Sequence, residues 1–300
     1  MELSAHTLSD LEARLEAGEP FTRPDAERVM ATTDLVSIGM VAEAARRRQS
    51  GDRVTFGRVV VIAADGPTEI GQAGEARIVG VPASVAEAVG WIRHAVQLAP
   101  GVPVTGFSLA DLLDLIGHDQ RELVRGAVAL REAGLESVAE VPIDRMGSIG
   151  QLIAAVSGLV EGGLGAWRLT VERAPVEERL GLVERAAALQ KATGAVRAFA
   201  PLPRLDPASV PSTGYDDVRT IAIARLLCAD IPFVQVDWPL YGPKLAQVAI
   251  AFGANDVDGI LPIDPVNQGA RRAAAEDIAR QIRSAAATPA ERNGRYELRP

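Results

Sequence analysis

Short apolar runs alternate along this chain with longer amphipathic stretches. Val59-Val60-Val61-Ile62-Ala63-Ala64 has no polar interruption, the pattern of a strand covered on both faces. Further short strands are predicted at 102–107, 166–171, 196–202, 233–238 and 257–260. Helices are predicted between them. They run over 85–98 with Ser84 as cap, then 108–116, 119–133, 149–159 and 176–193. A Gly214-Tyr215-Asp216-Asp217 turn opens another, stopped by Asp230-Ile231-Pro232. Leu245, Val248, Ala249 and Phe252 mark one more, ended by Gly253. Three helices precede the first strand: 7–17, one opened by Pro24, and one capped by Thr33-Asp34 that ends in Arg46-Arg47-Arg48. A polar helix is predicted over 270–287.

Strand following helix in this way predicts a parallel α/β fold. Three hundred residues, 48% of them hydrophobic, suit one barrel of about 250 residues plus an extension. Ala76-Arg77-Ile78-Val79-Gly80 resembles the second barrel strand of the enzyme group named below, and the gap before it is too short for a full crossover helix, which needs about 10–12 residues or more. The prediction is therefore a compressed or incomplete (β/α)8 barrel, with an N-terminal helical extension over 1–57 and the barrel over 58–300.

Net charge is -8 and pI about 5.1, which disfavours nucleic acid or an anionic membrane as partner. No run of about 18 uncharged apolar residues appears, and the first twenty residues are acidic and polar, unlike a signal peptide. The default expectation is cytoplasmic. The single cysteine, Cys228, lies on an apolar helix and is expected to be a packing thiol. His6, His94 and His118 fall away from strand ends, so neither a histidine metal site nor a Ser-His-Asp triad is supported. Gly162-Gly163-x-Gly165 precedes a strand and is not a dinucleotide fingerprint.

In a barrel of this type the site lies at the C-terminal strand ends. The candidate pocket residues are Asp65, Glu140, Asp144, Glu172, Arg173, Arg204, Asp237, Tyr241 and Asp264. The mouth is expected to be acidic, with Arg173 and Arg204 as counter-charges. Such carboxylates suit acid–base work or a cation, or simply solvate a loop or pair with one another.

Thr213-Gly214-Tyr215-Asp216-Asp217-x-Arg219-Thr220-Ile221-Ala222, then Gly242-Pro243-Lys244-Leu245-Ala246-Gln247, then Asp256-x-Asp258-Gly259, resemble the C-terminal part of the menaquinone and deazaflavin radical-SAM enzymes. That group includes aminofutalosine synthase, which this chain most resembles, cyclic dehypoxanthinyl futalosine synthase and FO synthase. Ala133-Gly134-Leu135-Glu136-Ser137, which in that group precedes the fourth strand and so implies one from 138, and the ending Thr288-Pro289-x-Glu291-Arg292-x-x-x-Tyr296 extend the resemblance from about Asp10 to Tyr296. The chain departs from the group where its chemistry resides. Residues 65–74 stand in place of the C-x3-C-x2-C loop, Asp144 stands where the group has glutamate, and Glu172-Arg173-Ala174-Pro175 replaces Gly-His-x-Glu. The resemblance therefore implies no iron–sulfur cluster, doubtful binding of S-adenosylmethionine, and a non-catalytic partner or binding role in menaquinone biosynthesis by the futalosine route. The implied partners are a catalytically intact radical-SAM paralogue and a small nucleoside ligand. The alternative is a non-radical acid–base enzyme acting on a futalosine-type nucleoside or enolpyruvyl compound.

Overall fold

The computed structural model describes residues 6–63, 69–205, 212–263 and 275–300. Three helices come first: α1 (His6–Ala17), α2 (Arg23–Ala31) and α3 (Leu35–Ser50). Asp34 caps α3 by accepting a bond from the Ser37 amide, as the sequence predicts. The order that follows is β1 (Arg53–Ile62), β2 (Glu75–Ile78), α4 (Val85–Leu98), β3 (Val104–Ser108), α5 (Leu109–Ile116), α6 (Gln120–Glu132) and β4 (Ser137–Pro142). Then come α7 (Ile149–Glu161), β5 (Arg168–Val171), α8 (Val176–Thr193), β6 (Ala198–Pro203), α9 (Gly214–Leu227), β7 (Phe233–Asp237) and α10 (Trp238–Ala251). The chain ends with β8 (Asp256–Ile260), α11 (Ala275–Ser284) and β9 (Thr288–Arg292). Strand β1 begins within the segment that the sequence assigns to the helical extension.

Strands β1 to β8 pair in parallel in sequence order, and β1 pairs with both β2 and β8. The barrel is therefore closed. The expected incompleteness is not in the strands. It lies in the β1–β2 connection, where the described residues, 63 and 69–74, contain no helix.

The register explains how so short a crossover closes a parallel pair. Strand β2 has four residues, and Glu75 sits level with Val59, high on β1. The chain has only to fall back about 10 Å, three residue rises, instead of the full barrel height. The vacated lower half beside Arg53–Gly57 is taken by β9, parallel to β1. The Gly294 amide then bonds the Gly74 carbonyl at 2.8 Å, joining the two pieces end to end. Gly57 is needed there, because a Cβ would stand 2.7 Å from Nη1 of Arg292. Strand β9 has no apolar alternation, so the sequence pattern does not reveal it.

Apolar helix faces cover the outside of the barrel, with Ile92, Leu123, Leu130, Leu152, Val156 and Leu189 among the buried contacts. One charged pair sits in this layer. Asp217 of α9 accepts a bond from Nη1 of Arg179 of α8 at 2.8 Å, and both are buried. Ser212 Oγ adds a bond at 3.0 Å. The capping box of α9 belongs instead to Thr213 and Asp216. Asp217 thus ties two helices together, where the sequence suggests a helix-start charge. Asp217→Ala leaves Arg179 buried and uncompensated, and is expected to lower stability by about 3–5 kcal/mol in urea unfolding. A loss near 1 kcal/mol would restore the simple helix-start role.

Candidate functional site at the barrel mouth

The barrel interior is filled by charge. Alternate residues of a strand face the same side. Glu75 and Arg77 on β2, Arg168 on β5, Gln235 and Asp237 on β7, and Asp256 and Asp258 on β8 are all buried. At the centre, Asp258 accepts bonds from Arg77 Nη1 at 2.9 Å, from Arg292 Nη2 at 3.0 Å, and from Arg168 Nη1. Asp256 takes Arg292 bidentately at 2.6 and 2.8 Å, Thr55 Oγ1 at 2.5 Å and Gln235 Nε2 at 2.7 Å. Glu75 holds Arg77 at 2.8 and 3.0 Å and accepts from Thr105 Oγ1 at 2.7 Å.

Burial by itself would raise the pKa of Asp258, yet Arg77, Arg168 and Arg292 hold it well below the usual carboxylate range. Arg77 and Arg292 are raised in turn by these acids, against the opposing pull of burial. Arg168 goes the other way, lowered by burial and by neighbouring Arg77. Tyr296 closes the lower end of the network. Its ring lies under the Arg292 guanidinium at 4.2 Å, and its hydroxyl accepts from Gln235 Nε2 at 3.2 Å.

Above this layer the mouth holds a cavity of about 190 Å³. Ile78, Val79 and Phe107 form its apolar wall, and Arg168, Arg204, Glu140 and Ser108 its polar one. Arg204 bridges two acids, with Nε 3.5 Å from Glu140 and Nη1 3.2 Å from Asp237. Arg168 Nη2 lies 3.8 Å from Glu140. Asp237 also caps α10 by accepting from the Leu240 amide at 3.1 Å.

Of the residues proposed from sequence, the structure brings Glu140, Arg204 and Asp237 together. Tyr241 lies beside them, its hydroxyl bonded to the Pro203 carbonyl and its pKa raised by burial. Asp144, Glu172 and Arg173 form a separate group. Asp144 accepts from the amides of Glu172 at 2.9 Å and Arg173 at 2.6 Å, and Glu172 pairs with Arg145 at 3.0 Å. The Arg173 side chain is exposed and is not among the residues lining the cavity. Asp65 and Asp264 lie outside the described residues. The mouth is not simply acidic, since Arg77, Arg168 and Arg204 all line it. Arg77, Arg168 and Ser108 were missed from sequence. A signal existed for two of them: charges set inside short apolar strands, as in Glu75-Ala76-Arg77 and Trp167-Arg168-Leu169.

The residues present do not fit the cluster that the resemblance brings to mind. Three irons need three protein thiolates, and Cys228 is the one cysteine. It is buried at the C-cap of α9, five residues before β7 begins, so it sits at the face opposite the mouth. Its Sγ lies 3.5 Å from the Val183 carbonyl, and burial pushes the thiol up to about 12. Among the described residues, no group of three or more His, Cys, Asp or Glu side chains is placed to hold a metal ion. No helix among them is long and apolar enough to cross a membrane.

Solved structures share this architecture. Methylornithine synthase (PylB) superposes with a TM-score of 0.66 at 14% identity, covering 93% of this chain and 97% of that one. The [FeFe]-hydrogenase maturase HydG gives 0.66 at 11%, covering 95% and 75%. These likenesses establish the fold: a closed parallel α/β barrel of the TIM type. Sequence places the chain further. Residues 200–300 match the family described as the CofH/MqnC C-terminal region. Aminodeoxyfutalosine synthase of Thermus thermophilus is 29% identical over 68% of this chain and 63% of its own length. The 5-amino-6-(D-ribitylamino)uracil–L-tyrosine 4-hydroxyphenyl transferase of Methanothermobacter thermautotrophicus is 33% identical over 40% of this chain and 37% of its own. The chain thus spans less than two thirds of the length of these relatives. The chain is similar to aminodeoxyfutalosine synthase and to the CofH/MqnC family over its C-terminal region, in line with the sequence motifs, and it has one cysteine.

The Asp258 network makes a prediction about pH. A carboxylate with a depressed folded pKa contributes stability that is fully present above its unfolded value, about 3.9, and is lost as pH falls through the folded one. Glu75 shifts in the same direction. Urea unfolding should therefore show a plateau down to about pH 5 and a steep fall below about pH 4. Asp258→Asn should lose about 3–5 kcal/mol at neutral pH and fall less steeply in acid. An unchanged acid slope in the variant would show that Asp258 does not carry the effect.

Proposed function

We propose that this chain acts as a binding protein in menaquinone biosynthesis by the futalosine route, with no radical chemistry of its own. One observation carries the reading: the barrel is kept to its last strand, while its interior is given over to an Arg–carboxylate network that leaves about 190 Å³ at the mouth. Ligand pockets for drug-sized molecules run to about 300–1,000 Å³. Homology to aminodeoxyfutalosine synthase supports the pathway, and the single buried thiol supports the absence of an iron–sulfur cluster. In this reading the protein is cytoplasmic, and its partner is a catalytically intact radical-SAM paralogue.

The acid–base alternative has weaker support from the mouth. Asp144 is spent on two backbone amides, Glu172 on Arg145, and Asp237 on Arg204 and a helix cap. Carboxylates engaged in this way are held by the protein, whereas a general acid or base must be free to reach the group it exchanges a proton with.

Two measurements test the proposal. Anaerobic reconstitution with iron and sulfide is expected to yield no stoichiometric iron, and about four irons per chain would overturn the cluster-less reading. Deleting the gene in its native host is expected to lower menaquinone content, restored by the wild-type chain. Unchanged menaquinone would overturn the pathway.

A further inference from the structure

The mouth cavity contains donors with nothing to bond. Ser108 is the N-cap residue of α5, yet its hydroxyl makes no cap bond and has no hydrogen-bond partner, although the residue is only 7% exposed. The first amides of α5 therefore lack the side-chain acceptor that a serine cap normally supplies. Arg204 Nη1 is buried and close to Asp237, but its geometry gives no hydrogen bond. Both residues line the same cavity. A buried donor left without an acceptor is unfavourable, so two around one cavity point to an occupant.

The backbone at this point is held in an unfavourable form. Phe107, the residue before Ser108, has φ of +63° without being glycine, and its ring stacks on Trp91 with centroids 6.1 Å apart. Such a conformation is strained and persists only where the surroundings enforce it. Here it sits at the turn that delivers Ser108 and the start of α5 to the cavity.

One member of the same polar wall differs in kind. Glu140 is an acceptor whose cationic neighbours stand off at 3.5 and 3.8 Å, too far for hydrogen bonds. The polar wall thus offers donors beside an acceptor, while the other lining carboxylate, Asp111 of α5, is already paired with Arg145 at 2.9 Å. Its volume equals roughly six waters.

We infer that the mouth binds a small metabolite carrying an oxyanion next to a hydroxyl group, of the hydroxy-acid or phosphorylated-polyol class. The oxyanion takes Ser108 Oγ, Arg204 Nη1 and the N-terminal amides of α5, where the helix dipole also favours negative charge. The hydroxyl donates to Glu140. This inference rests on the mouth being a binding site, as proposed above, and not on the pathway.

The test uses the full chain and four probes: D-glycerate, glycerol 3-phosphate, inorganic phosphate and glycerol, titrated by calorimetry. Glycerate or glycerol 3-phosphate is expected to bind one per chain, at least tenfold more tightly than phosphate or glycerol alone. Which of the two binds identifies a carboxylate or a phosphate ligand. Ser108→Ala removes a hydroxyl that bonds nothing in the free protein, so the melting temperature should hold while affinity falls about five- to tenfold. Arg204→Gln should abolish saturable binding. Absence of saturable binding by glycerate and glycerol 3-phosphate would overturn the inference, as would wild-type affinity in a folded Ser108→Ala. Loss of this binding with menaquinone still dependent on the gene would remove the ligand and leave the pathway reading standing.

Discussion

Three guanidinium groups meet on one carboxylate at the centre of this barrel. Asp258 has no contact with water, and neither does Arg292. An ion buried in this way is costly unless its partners are complete. Arg77, Arg168 and Arg292 come from β2, β5 and β9, so Asp258 is satisfied only when three distant parts of the chain are in place together. Ordinary TIM-type barrels fill this volume with layers of branched aliphatic side chains. Arginine is the cation suited to the substitution, because its planar fork can serve two acids at once. Arg292 does so with Asp256 and Asp258, and Arg77 with Glu75 and Asp258.

The same constraint accounts for the unusual wall of the barrel. A four-residue β2 leaves the lower part of β1 without a neighbour on that side, and an unpaired strand edge beside the core is unfavourable. Strand β9 fills the space and, in doing so, delivers Arg292 to Asp256 and Asp258. Backbone pairing and charge pairing are therefore satisfied by one segment. The tail beyond it turns back under the barrel, where Tyr296 covers Arg292 and packs on Phe233 with centroids 5.3 Å apart. In the unpaired chain, residues 288–296 are polar and unremarkable. Their structural weight comes from what they complete.

This is also why the sequence is readable in some places and silent in others. Helices α4 and α8 follow from periodicity and end where the pattern says they should, because local apolar spacing decides both. Six of the barrel strands follow from short apolar runs, while β2 and β4, which carry Glu75, Arg77 and Glu140, follow from the resemblance. Strand β9 does not, since its place depends on a vacancy beside β1 that only the folded register creates. At the mouth, Glu140, Arg204 and Asp237 are legible as charges at strand ends. Ser108 is not, because a serine before a helix reads as a cap, and only the folded structure shows that its hydroxyl caps nothing. Asp217 shows the opposite error. Its position at a helix start invites a dipole explanation, whereas its partner Arg179 lies 38 residues away on the neighbouring helix.

What the network gains in cohesion it takes from the interior as usable volume. Arg77 and Arg168 occupy the space between the strand ends and the barrel floor, so the mouth is shallow and bounded below by fixed charge. A large cofactor would have to displace guanidinium groups already bound to acids, leaving those acids buried and unpaired. A small polar molecule faces no such penalty, since the groups it would meet, Ser108 and Arg204, still have unused donors. The C-terminal third that matches the CofH/MqnC family supplies Asp258, Arg292 and Tyr296, the floor of the barrel. The region before it supplies Arg77, Ser108, Glu140 and Arg168, which shape the mouth. The same C-terminal third also sends Arg204 and Asp237 to the mouth, so floor and mouth are joined through these two residues as well as through Asp258.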